Sequence, residues 1–151
     1  MPRWLYPAFL PGRQGVALLA LRLVVGIAFL YHGSGKAADI AEFATEFQIP
    51  PLFAAAAAYT QVAGGVLLIL GLATPVGAAA IAGTMAVATM KLMARGEAFV
   101  NPHGHAYESS LFYFVSGCAL LLLGPGVISL DALLLARAQS GARQPTPQPA
   151  D

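Results

Sequence analysis

Charge is what this sequence has least of. Lys, Arg, Asp and Glu make up 10% of its 151 residues, against about 25% in a typical soluble domain. Too few polar side chains remain to cover a globular surface in water. That argues against a soluble enzyme, a nucleic-acid binder and a disordered chain. The net charge is +1, so no pull toward an acidic partner is encoded. Cysteine is nearly absent: Cys118 stands alone. By itself the chain can form no disulfide and no cysteine-clustered zinc or iron–sulfur site. Cys118 sits in an apolar run and reads as a small packing residue. No Ser-His-Asp set and no paired carboxylates can be read from the spacing. The stretch GSGK at 33–36 is no phosphate loop, because Leu30 and Ala37 stand where a glycine and a Ser or Thr are required.

What the sequence has is apolar runs. Four of them, at about 15–35, 51–72, 75–94 and 107–124, approach the length of about 20 residues that a helix needs to cross a bilayer. They lack the strict alternation of barrel strands, so they read as helices. The first run is interrupted by Arg22 and has no clear small-x-small cleavage site after it, so it reads as a retained span. Between the first two spans, Ile40, Phe43 and Phe47 fall on one helical face and Asp39, Glu42 and Glu46 on another. This predicts a short amphipathic helix lying in the membrane interface. Pro50-Pro51 and Thr74-Pro75 open the second and third spans, with a tight turn at 71–74. Gly124-Pro125-Gly126 ends the fourth, and Ser129 caps a short helix over 130–138. The expected fold is an all-α membrane protein: a four-helix bundle with an interfacial helix and a short C-terminal helix. Residues 1–138 form its domain, and 139–151 are a polar, proline-rich tail expected to be disordered.

Arg3, Arg13, Arg137 and Arg143 flank the ends, whereas Lys36, Lys91 and Arg95 on the other side are offset by Asp39, Glu42, Glu46 and Glu97. Both termini are therefore expected in the cytoplasm. Trp4 and Tyr6 at one face, and Tyr107, Phe112 and Tyr113 at the other, suit aromatic belts. Small residues at 54–58, Gly64, Gly65, 78–80 and Gly83 suit close helix packing, with a homo-oligomer contact as the alternative use.

A charge at bilayer depth costs about 2.5–3.5 kcal/mol on insertion scales, so each polar residue in a span asks for a reason. Arg22 either pairs with Asp131 or, with Gln61, holds the polar head of an apolar ligand such as a quinone. His32 and Lys36, four residues apart on one face, gather with Lys91 and Glu108 at the opposite side. Lys91 and Glu108 form an ion pair on one reading; on the other, the group handles protons or a ligand. His103 and His105 are weak metal candidates, since their spacing matches no strong zinc pattern.

These residues resemble the DoxX family of small four-helix membrane proteins. The resemblance runs through LRLVVGIAFLYHGSGKAADI with Arg22, Gly26, His32-Gly33 and Lys36, through QVAGGVLLILGLATPVGAAA, through Glu108, and through GPGVISLDALL ending near Asp131. It covers about 17–135. Gln61 stands where members often carry glutamate, and Lys91 where many have a nearby histidine. The family includes the membrane subunit of thiosulfate:quinone oxidoreductase. Others are tied to redox stress, metal-peptide maturation, and quinone or catechol handling. The resemblance implies a component of a redox system in a bacterial cytoplasmic membrane, binding quinone or another small amphiphile beside a partner protein. A non-enzymatic binder or transporter, or a scaffold, is the alternative. The chain carries no flavin, haem or iron–sulfur motif of its own.

Overall fold

A computed structural model describes residues 9–102 and 104–141. Among these residues six helices follow one another: α1 (Gly12–Ala38), α2 (Ile40–Phe47), α3 (Pro51–Leu70), α4 (Thr74–Ala94), α5 (Glu108–Leu123) and α6 (Leu130–Gly141). The described residues are otherwise turns, with one isolated bridge between Ala98 and Ala106. The fold is all-α, as expected. Three helices, α1, α3 and α4, are long and apolar enough to cross a membrane. The expected fourth span is α5, an apolar helix of 16 residues. At 1.5 Å per residue it reaches about 24 Å, short of a hydrocarbon core of about 30 Å.

Local signals explain the boundaries. Asp39 accepts the Glu42 N–H at 2.8 Å and so caps α2 directly after α1 ends. Pro51 stands at the start of α3, where its missing N–H costs nothing. Gly71 closes α3 at φ 64°, with Leu72 N–H reaching back to Leu67 O at 3.0 Å. Ser129 Oγ accepts the Ala132 N–H at 3.1 Å, the expected cap of α6. That helix runs to Gly141, three residues past its expected end. The remainder of the expected tail, and Arg3, Trp4 and Tyr6, lie outside the described residues.

α1 packs most extensively on α3, and α4 on α5; the α3–α4 contact is smaller, and α1 and α5 meet sparsely. The buried stripe of α1 is Gly15, Leu18, Arg22, Val25, Gly26, Phe29 and Gly33, a helical spacing. Three glycines set the α1–α3 distance, Gly33 among them, where a Cβ would lie 2.8 Å from Val62 N. A Cβ on Gly26 would lie 2.8 Å from Gly65 O, and one on Gly65 would lie 2.7 Å from Gly26 O. α4 and α5 are joined by a 2.9 Å hydrogen bond between the buried hydroxyls of Thr89 and Ser110. The core is Leu18, Val25, Phe29, Leu68, Ala78, Ile81, Met85 and Leu120. The expected interfacial helix α2 lays Phe43 and Ala44 against Ala54 of α3, with Ile40 and Phe47 beside them. Its apolar face is thus covered by protein.

Candidate functional site

The polar residues sort into two ends of the bundle. At one end, Arg22 is 1% exposed. Its Nη2 donates to Ile128 O in the turn before α6. Its guanidinium lies so close to Gly71 that a Cβ there would fall 1.8 Å from Nη1. Asp131 acts on it electrostatically. The Asp131 carboxylate also accepts the Ala73 N–H at 2.7 Å and the Thr74 N–H at 2.9 Å, so it caps α4 from another helix. Ala73 holds a left-handed φ of 45°, a strained position for a residue with a Cβ. Asp131, the residue expected to pair with Arg22, thus lies at the same end of the bundle and within its electrostatic reach, while the hydrogen bond of the guanidinium goes to a backbone carbonyl. The expected meeting of Arg22 and Gln61 does not occur. Arg22 abuts Gly71, ten residues along from Gln61, which puts the two about 15 Å apart along the helix axis.

Gln61 belongs to the other end. It is 2% exposed, and its Oε1 accepts from Lys36 Nζ at 3.1 Å. Lys36 lies in the last turn of α1, where the helix carbonyl end favours a cation. The ammonium also sits over the Phe43 ring, 4.9 Å from its centre, and 6.0 Å from that of Phe47. Lys91, from the last turn of α4, donates to Phe47 O at 2.9 Å. The expected Lys91–Glu108 ion pair does not form. The C-terminal carbonyl of α2 takes the ammonium instead, and Glu108 is exposed at the start of α5. Arg95 completes the attachment of α2 by donating to Glu46 O at 2.6 Å.

Lys36, Gln61 and Lys91 line one cavity of about 430 Å³. Its remaining wall is mostly apolar, from Phe43, Phe47 and Ile49 near α2 and from α3 and α4. Phe53 is 65% and Val87 57% exposed, so the cavity is open sideways between α3 and α4. Gly83 leaves room there: nothing lies within 4 Å of a Cβ built on it. A second cavity of about 160 Å³ lies on the far side of Lys36 and Gln61, toward α5. His32 lines it, edge-on to Tyr113 at 6.1 Å. The structure thus brings His32, Lys36, Gln61 and Lys91 to one end and leaves Arg22 and Asp131 at the other. Glu108 lines a separate outer cleft with Phe99 and Tyr113. His105 is exposed, and His103 lies outside the described residues. Among the described residues no group of three His, Cys, Asp or Glu could hold a metal ion.

Sequence reasoning missed Phe43 and Phe47 as cation partners and Gly83 as a cavity wall. The signal for the first was present: two aromatics one turn apart directly after a lysine that ends a span. Chemically, this site offers ammonium and amide donors at one end of an apolar slot. Comparison with curated proteins and with solved structures gives no match for this chain. A model of the DoxX family matches residues 17–94, which carry Arg22, Lys36, Gln61 and Lys91. Matched over more than half its length and built on long apolar helices, the chain is an integral membrane protein of the DoxX family.

Proposed function

We propose that this protein is a membrane component of a redox system that binds a quinone or similar small amphiphile, with the polar head at Lys36, Gln61 and Lys91. The observation that carries the reading is the cavity of about 430 Å³, an apolar slot with three donor-bearing side chains at one end. Its size and lining suit a small-molecule site, which is typically about 300–1,000 Å³ and largely apolar with few polar groups. A quinone carbonyl accepts hydrogen bonds, and both an ammonium and an amide N–H₂ supply them. The side opening between α3 and α4 would admit a tail from the lipid. The redox half of the reading rests on the family, which includes a quinone-linked oxidoreductase subunit. This chain's part is to hold and orient the ligand for a partner that carries the electrons. In the same reading α5 is a fourth span, tilted or set in a locally thinned bilayer, and both termini face the cytoplasm.

The test is mass spectrometry of protein purified in mild detergent, with its extracted lipids. A quinone or related amphiphile should accompany the wild-type chain. Gly83→Leu points a side chain into empty cavity space, so it should fold normally by circular dichroism and lose at least tenfold of the bound molecule. No bound amphiphile in the wild type, or equal amounts in both proteins, would overturn the reading. A second reading, a non-enzymatic binder or transporter, draws on the shared wall of the two cavities. Lys36, Phe47, Gln61 and Ala88 line both, so a change of rotamer at Lys36 would join them into one path.

A further inference from the structure

We infer that the amphiphile taken by this cavity carries a negative charge on oxygen at its head. The inference rests on the reading of the cavity as an amphiphile site and narrows it. Two lysines line the cavity, and no Asp or Glu does. Among the described residues neither ammonium is neutralised by an ion pair. Lys36 donates to the neutral amide oxygen of Gln61, and Lys91 to the backbone carbonyl of Phe47. The carboxylate that acts on Lys36 is Glu46, which is exposed on α2 rather than set in the cavity wall. Each ammonium has three N–H donors and spends one on the protein. Two ammonium groups lining one apolar space give it a net positive charge, which low-dielectric surroundings leave weakly screened. A neutral head would leave that charge standing. An anionic oxygen would offset it and gain charge-assisted hydrogen bonds, which are stronger than bonds to a neutral carbonyl.

Arg95 reinforces the field. It lies 5.7 Å from the Phe47 ring centre, so three cations surround the end of α2 at the cavity's polar end. The rest of the slot is hydrocarbon, and its open side continues into the exposed apolar faces of α3 and α4. That arrangement fits an alkyl chain behind a compact anionic head. Two kinds of molecule share this chemistry: a fatty carboxylate, and a quinone ring bearing an ionised hydroxyl.

The experiment uses matched probes on the full chain in neutral detergent. One pair is an alkyl hydroxynaphthoquinone, ionised at neutral pH, and its O-methyl ether, which has the same ring and chain but no charge. The other is dodecanoate and dodecanol. Binding is read by thermal shift and by equilibrium dialysis. The ionised hydroxynaphthoquinone should bind at least tenfold tighter than its ether. The gap should close in Lys36→Met, survive in Lys36→Arg, and narrow in high salt. Gly83→Leu should abolish binding of both. A gap for dodecanoate over dodecanol with neither naphthoquinone binding supports the charge inference and overturns the quinone reading. Equal binding of anion and ether, or of dodecanoate and dodecanol, overturns the charge inference and leaves the amphiphile reading intact. Binding of no probe, or undiminished binding in Gly83→Leu, overturns both.

Discussion

Arg22 shows how one residue can tie three segments together. Its guanidinium joins the middle of α1 to the turn after α3 and to the approach to α6. Its Nε and Nη1 find no hydrogen-bond partner among the described residues, and Asp131 is the carboxylate that acts on its charge. The two partners are not equivalent. Removing Arg22 leaves Asp131 its two backbone donors, Ala73 and Thr74 N–H. Removing Asp131 leaves Arg22 buried without its countercharge and uncaps α4 at the same time. Loss of one member of a buried pair costs about 3–5 kcal/mol, and loss of an N-cap about 1 kcal/mol. Asp131→Ala should therefore destabilise more than Arg22→Met, and the double variant should lose less than the sum. Denaturation in mixed micelles measures all three. Strictly additive losses, or an unaffected Arg22→Met, would mean that Arg22 and Asp131 do not act as a pair.

At the scale of elements, glycine does two opposite jobs that composition alone does not separate. Gly26 and Gly65 each sit where a Cβ would strike the facing backbone, so they let α1 and α3 approach closely. Gly83 and Gly35 meet nothing within 4 Å. Alanine should act with opposite sign at these places. Gly26→Ala and Gly65→Ala should destabilise by about 1–3 kcal/mol, the usual range for overpacking. Gly83→Ala should be neutral or stabilising by up to about 1 kcal/mol, since a helix-interior glycine carries an entropy cost. Equal destabilisation at Gly83 and Gly65 would mean that α3 and α4 close over the cavity. The attachment of α2 belongs to this scale too. Lys91 and Arg95 of the α4 end hold its last carbonyls, where the helix dipole is negative. Basic residues that look like span-end anchors therefore serve as latches for a neighbouring helix.

For the molecule as a whole, the antiparallel course of α1, α3, α4 and α5 brings Lys36, Lys91 and the start of α5 to one end, away from the Arg22–Asp131 end. Large apolar side chains such as Val24, Tyr59, Val76 and Leu122 are exposed on the outside, as suits a lipid-facing surface. The basic residues near the chain ends favour a cytoplasmic placement of both termini. A C-terminal phosphatase fusion, active only outside the cytoplasm, should be inactive, and a C-terminal fluorescent fusion that matures only inside should be bright. The reverse pattern would invert the topology and put the Lys36–Gln61–Lys91 end on the cytoplasmic side.

Helix positions were legible in the sequence because they rest on local physics. Run length, Pro50-Pro51, Gly71 and Ser129 placed α3, α4 and α6 within a few residues of their observed bounds. The polar residues within the spans were legible for a related reason: charge and amide groups are costly in lipid, so Arg22 at one end and Lys36, Gln61 and Lys91 at the candidate site stood out. Most of their partners were not legible, although the sequence did offer Asp131 for Arg22. Counting depth from span ends set Arg22 beside Gln61 and Lys91 beside Glu108. In the fold, the Gly26–Gly65 contact sets the register of α1 on α3, carrying Arg22 to Gly71 and Lys36 to Gln61. The C-terminal carbonyls of α2, invisible in any composition, take Lys91. A sequence determines which groups need a partner, because desolvation is a property of the group. Which partner each finds depends on the register and rotation of packed helices, and only the tertiary structure decides that.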